Sequence, residues 1–343
     1  MSATQRHIKL LLLLAAGLLV ACGPDVNPPQ PETQEEIRLD ASVWQMMQGA
    51  PSRRVSTYEG APLRASTYNG GTLTSGSFTA AAYVENTTTP YINPVQVNWE
   101  TDKWVWSDGK HYWPASGSLD FFAYMPATKP GYISSITYAV SGAPAAPQPS
   151  FVCADLPMTY NSAAPTENQG SNLHEFILAV TTGQNKVDQG ATGVTMNFSH
   201  PFVRIKMVLS ASQAKAITIN TITFKSLKNN GSCSFAYNGS SSTWESTWTP
   251  SGVATNFKAT LDQAFTATGA AQDIGVPYLM IPQTWTGGIE VEATWDDWGV
   301  PLKHTLSTTL SSVSWAPGTT YTYTFTITET DLIVDGSKYT EQW

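Results

Sequence analysis

The sequence is poor in charge, in cysteine and in helical periodicity, and each shortage narrows what it can be. Only 13% of its residues are charged, and 18 Lys and Arg stand against 26 Asp and Glu. A chain with a net charge of −8 has no basic patch with which to neutralise phosphates. That argues against nucleic acid as a partner and against an electrostatic grip on anionic lipid. The three cysteines, Cys22, Cys153 and Cys233, show no CxxC spacing and no nearby histidine, so no metal site is expected. After Val20 no run is long and apolar enough to span a bilayer. Nowhere do apolar residues recur at i, i+3 and i+4 for three turns, so no amphipathic helix of that length is predicted.

What is present starts with Leu10–Val20, an uncharged run behind Arg6 and Lys9. At 1.5 Å per helical residue it is too short for about 30 Å of hydrocarbon, and a short apolar core behind a basic start reads as a secretory signal. Its ending, Leu19-Val20-Ala21-Cys22, resembles a bacterial lipobox, in which small residues suit a signal peptidase and the cysteine thiol takes a diacylglycerol. Residues 1–21 are therefore expected to be a lipoprotein signal peptide, with Cys22 the lipidated first residue of a protein working outside the cytoplasm. Gly23–Glu36 holds four prolines and four acids and almost nothing apolar. Residues 22–36 thus read as an acidic, Pro-rich tether that cannot bury a core.

Ile37–Val43 sets Ile37, Leu39, Ala41 and Val43 against Arg38, Asp40 and Ser42, which predicts a half-buried strand. Trp44–Arg64 loses this alternation and carries Arg53, Arg54 and Arg64 among Gly, Pro and Ser, so it reads as an exposed loop. About fifteen strand-like runs follow, each bounded by Pro, Gly, Asn or Asp. Thr, Ser, Trp and Tyr are abundant, which favours strands and turns. Strands at this spacing predict antiparallel β-sandwiches. Their number exceeds one sandwich, and the polar Gly183–Gly193 is the best divider. The expected domains are residues 37–188 and 189–343.

Chemistry is thin. The histidines are scattered, no GxSxG or phosphate loop occurs, and Glu290 and Glu292 alternate with Ile289, Val291 and Ala293 as the wet face of a strand. No catalytic constellation and no cofactor site is expected. Trp104 and Trp106 share one strand face. Exposed, they would stack on sugar rings; buried, they would fill a core, which is the favoured reading because indoles bury large apolar areas. Cys153 and Cys233 leave two readings open, a single disulfide in an oxidising compartment or two separate buried thiols.

Four stretches in order resemble the fimbrillins, the lipoprotein pilins of Bacteroidia. They are Tyr112–Pro126 (YWPASGSLDFFAYMP), Phe198–Val208 (FSHPFVRIKMV), Tyr278–Gln283 (YLMIPQ) and Trp315–Thr328 (WAPGTTYTYTFTIT). The resemblance implies an all-β protein of two tandem transthyretin-like sandwiches, lipid-anchored at the outer membrane and displayed in a fimbria. In that context His200 is expected to pack at the domain junction. The resemblance also implies assembly. The loop after the first strand is cut, with Arg53, Arg54 and Arg64 as candidates, and Ile37–Val43 leaves a groove that a neighbour's strand fills. The implied partners are other fimbrial subunits and a host or glycan ligand. The tail after Thr328 reads as a short appendage hairpin or as the closing edge of the second domain, and its shortness suits a tip or accessory subunit.

Cys22→Ser is expected to abolish lipid attachment, because a hydroxyl lacks the nucleophilicity of the thiolate. Labelling cells with a fatty-acid probe and measuring membrane partitioning checks this.

Overall fold

The computed structural model describes residues 34–43, 71–142, 145–164, 175–189, 192–210, 215–238, 243–266, 270–335 and 341–342. The lipobox with Cys22 and the arginines Arg53, Arg54 and Arg64 lie outside the described residues. So does all of the loop expected at Trp44–Arg64.

The all-β reading holds. An eight-stranded sheet runs in the order Gly71–Thr72, Leu39–Val43, Val194–Ser199, Ile177–Gln184, Leu119–Met125, Ser77–Val84, Pro90–Glu100 and Lys103–Trp106. It curls on itself until the last of these strands returns to the first segment of the chain, where Trp106 Nε1 donates to the carbonyl of Ile37 at 3.2 Å. The concave face closes over one core of Phe78, Val97, Trp104, Phe121, Ile177, Met196 and Phe198. Three central strands of this sheet are buried on both faces. This accounts for their sequences: SFTAAAYV, LDFFAYM and ILAV are near-continuous apolar runs rather than alternating ones.

The convex face is covered by a four-stranded sheet of Thr243–Ser251, Asn230–Asn238, Ser150–Cys153 and Ile133–Thr137. Phe122, Leu178 and Val180 meet Phe151, Phe202 and Phe235 between the two layers. At the rim Tyr83 stacks on Tyr138 with ring centroids 3.8 Å apart. The buried Asp120 carboxylate accepts from the Asn86 and Gly183 amides at 2.7 and 2.9 Å, fixing a turn and a strand irregularity whose backbones lie in the left-handed region.

Farther along the chain, a five-stranded sheet (Thr159–Asn161, Thr255–Phe265, Ile217–Leu227, Gly288–Asp297, Val300–Thr309) faces a sheet of Gln272–Met280, Val203–Leu209, Thr319–Ile327 and Leu332–Asp335, with Glu341–Gln342 added against Thr319–Ile327. Val203–Leu209 alternates strictly, with its odd-numbered residues buried and its even-numbered ones half-exposed, and Gly288–Asp297 does so over most of its length. Leu332–Asp335 and Glu341–Gln342 both pair with Thr319–Ile327, so this part of the tail closes the sheet edge. Two of the motifs clamp the loops. Gln283 exchanges hydrogen bonds with the backbone of Lys228, and Tyr321 Oη joins the Ala316 amide to the Ser314 carbonyl.

Three pairings are parallel rather than antiparallel: Leu39–Val43 with Val194–Ser199, Thr159–Asn161 with Thr255–Phe265, and Val203–Leu209 with Thr319–Ile327. Each joins strands far apart in sequence, where no hairpin dictates direction. Strands also cross the line expected at 188/189. Val194–Ser199 lies after it yet completes the eight-stranded sheet, while Thr159–Asn161 lies before it and edges the five-stranded one. Residues Glu36–Trp343 cluster as one unit. A single helical turn, Lys186–Gln189, falls in the polar stretch.

Trp104 packs on Phe78 and Trp99 at centroid distances of 4.6 and 5.4 Å, and its buried Nε1 has no hydrogen-bond partner. Trp104→Ala is expected to cost about 3–5 kcal/mol. Trp104→Phe should cost clearly less, since no hydrogen bond is lost with the indole. Urea unfolding of the two variants against the parent checks both.

Candidate functional site: the seat of the first strand

The first strand is seated by contacts that a sequence pattern can only half foretell. Its alternation is realised: Ile37, Leu39 and Ala41 are buried in the core of the curled sheet, while Arg38 and Asp40 face solvent. Regular pairing covers Leu39–Val43, in register with Val194–Phe198. On the opposite side Ser42 and Val43 pair with Thr72 and Gly71, and the Leu73 amide donates to the Ala41 carbonyl at 2.8 Å. Gly193 has a left-handed backbone, and a Cβ there would stand 3.1 Å from the Arg38 carbonyl, so glycine permits the close approach.

Ahead of the strand, a second set of groups holds the chain. The Ile37 amide donates to the His111 carbonyl at 2.8 Å, and its carbonyl receives the Trp106 indole. Glu36 pairs with Lys110 at 2.9 Å, which raises the lysine pKa. The pair is exposed and contributes little to stability. Sequence reasoning missed this latch, because its halves are some seventy positions apart and nothing local marks them as partners.

Most of these bonds are made by main-chain atoms, which any extended segment possesses. What distinguishes this occupant is its row of buried side chains, large at Ile37 and Leu39 and small at Ala41. Each large one contributes about 1.5–3 kcal/mol by burial.

The other candidate residues are dispersed. Trp104 and Trp106 point into the core at 6% and 5% exposure, which corrects their candidacy as an aromatic surface. The strand that carries them forms the curled edge of the sheet, and both indoles lie on its concave face. Cys153 and Cys233 are free thiols, both buried, on neighbouring strands where Cys233 faces Phe151 and Cys153 faces Gly231. Burial pushes the Cys153 thiol up to about 12 and raises that of Cys233, so neither is a ready thiolate. His200 is buried with Nδ1 2.8 Å from Glu175 Oε1, beside the turn into Val203–Leu209. Pro201, next to it, accepts the Trp248 indole at 2.6 Å. Glu290 and Glu292 lie on a strand face where they pair with Lys225 and Lys303. No group of three or more metal-ligating side chains occurs among the described residues.

Leu39→Asp is expected to lower unfolding stability by at least about 3 kcal/mol, because it removes a buried side chain and leaves a carboxylate without a partner. Asp40→Ala, on the solvent face, should change it by less than about 1 kcal/mol. Chemical denaturation compares the two directly.

Several solved structures align with most of this chain. A candidate cell-adhesion protein of Bacteroides uniformis is 14% identical, with a TM-score of 0.48 and coverage of 90% of this chain and 99% of its own. A fimbrial assembly protein of Parabacteroides distasonis is 8% identical, with a TM-score of 0.39 and coverage of 90% and 97%. The fimbrial anchor protein Mfa2 of Porphyromonas gingivalis is 9% identical, with a TM-score of 0.32 and coverage of 89% and 99%. Among curated proteins no sequence match was found. The profile of the Fimbrillin-like family matches residues 65–343. The chain therefore belongs to the fimbrillin-like family, a family of structural proteins rather than enzymes.

Proposed function

We propose that this fimbrial or adhesin-like subunit of the cell surface is exported as a lipoprotein on Cys22 and assembles by strand exchange. In this reading the chain is cut after Arg53, Arg54 or Arg64. The segment Ile37–Val43 then leaves its seat, and a strand from a neighbouring subunit fills the groove. The tandem-sandwich division belongs to the same proposal, with Val194–Ser199 and Thr159–Asn161 exchanged across the line near residues 188 and 189.

The observation that carries it is the way the first strand is held. It lies between Val194–Ser199 and Gly71–Thr72, bonded by its main chain and inserted by its apolar side chains. Replacing it by another strand preserves the ladder, and side-chain fit then selects the partner. This is β-augmentation, in which main-chain hydrogen bonds supply affinity and alternate side chains supply register. Pairing of Leu332–Asp335 and Glu341–Gln342 with their own Thr319–Ile327 supports a tip or accessory role, since this stretch already serves its own sheet. Glycan binding through Trp104 and Trp106 has no support, because both indoles are buried.

Cutting between Val43 and Thr67 should leave the protein folded and monomeric, since the strand keeps its hydrogen bonds. A labelled peptide copying Ile37–Val43 should then exchange slowly into the cut protein, and a peptide with Asp at the Leu39 position should not. Incorporation that is equal for both peptides, or absent for both over days, would contradict strand exchange.

A further inference from the structure

The hairpin formed by Gly288–Asp297 and Val300–Thr309 ends in a two-residue turn, Trp298-Gly299. Its pairing with Ile217–Leu227 stops at Thr294 opposite Thr218; Trp295 is still buried in the core, and Asp296 to Leu302 extend past it as an arm. Both turn residues have positive φ, 59° at Trp298 and 83° at Gly299. Asn, Asp or Gly suits the first position of such a turn, and a bulky side chain there is a strained choice. The strain secures no packing, for Trp298 is 103% exposed.

The arm beneath the indole is rigid. Asp296 Oδ1 accepts the Gly299 amide at 2.6 Å, closing the turn. Asp297 receives the Trp295 indole at 3.1 Å on one oxygen and stands 3.0 Å from His304 Nε2 with the other. The His304 ring lies flat on Trp295 with centroids 3.7 Å apart. With the turn beneath it braced, only the two side-chain torsions of the indole remain to be ordered on contact, which suits a binding anchor.

We propose that Trp298 is a stacking platform for a neutral sugar ring. Its bare face can lie against the C–H face of a hexopyranose, and the exposed Asp296 carboxylate at its foot can accept from ring hydroxyls. Three observations favour a small neutral ligand over other occupants. Among the described residues of the hairpin, the exposed large apolar side chains beside Trp298 are Val300 and Leu302, at 54% and 46%. With the indole they offer far less than the roughly 800 Å² per partner of a stable protein interface. Strand addition along this edge is hindered at the tip. In a two-residue hairpin the closing pair Asp297 and Val300 turns inward, so the next residue, Pro301, turns its nitrogen outward with no proton to donate. Finally, Asp296 and Asp297 and the net charge of −8 repel anionic membranes and sulfated or sialylated glycans. This proposal stands independently of strand exchange.

The test uses the purified full chain and its Trp298→Asn variant. Both are applied to a dense array of neutral glucose-, galactose-, mannose- and N-acetylglucosamine-terminated oligosaccharides, with sialylated and sulfated counterparts alongside. High density is needed because a single stacked ring binds weakly and multivalency raises the signal. The parent should bind at least one neutral group in preference to its anionic counterpart. Trp298→Asn should lose that signal at least tenfold while its melting temperature is unchanged or raised, since Asn suits the turn. Three results would overturn the proposal: no binding by the parent, undiminished binding by the variant, or a preference for anionic glycans. A shift in sedimentation between parent and variant without any glycan signal would overturn it too, and would assign the arm to a protein contact.

Discussion

The fold depends on a parallel pairing between two strands some 155 positions apart, Leu39–Val43 and Val194–Ser199. The eight-stranded sheet curls around its own core, and the first strand with its latch to His111 and Trp106 closes the gap between the two ends of that curl. Without it Val194, Met196 and Phe198 would lose their cover along one edge, together with a row of main-chain partners. Such an edge is unstable alone and reactive toward any matching strand. The same interaction thus completes the subunit and marks the place where another could join it.

A second constraint follows from covering the sheet on both sides. Leu119–Met125 and its neighbours are buried front and back, and the layer that covers their convex face takes strands from Ile133–Thr137 and from Asn230–Ser251. The front and back halves of the chain therefore share a core around Phe151, Phe202 and Phe235. His200 and Glu175 sit buried on this seam.

Where a strand alternates and is buried on one face, the sequence announces it. Val203–Leu209, Ile289–Trp295 and Ile37–Val43 were legible for that reason. Thr243–Ser251 was not. Its spelling, TWESTWTPS, alternates polar with polar apart from Trp244 and Trp248, and it forms an edge strand because Asn230–Asn238 offers it a ladder and Trp248 packs on Phe151 and Phe202. The latch on Ile37 was hidden by distance, since Trp106 and His111 carry no local sign of a partner so far upstream. Trp298 escaped notice for the opposite reason. Among twelve tryptophans the prior favours burial, and only the projecting turn shows that this one has nothing to pack against.

The most direct test of the account is the mature N-terminus of the protein recovered from cells, read by intact-mass and N-terminal peptide spectrometry. Membrane-anchored protein should begin at a lipid-modified Cys22. Protein from assembled fimbriae should begin beyond Val43, after Arg53, Arg54 or Arg64, and lack Ile37–Val43. Assembled protein that retains Ile37–Val43 would contradict the claim that this strand is the removable one.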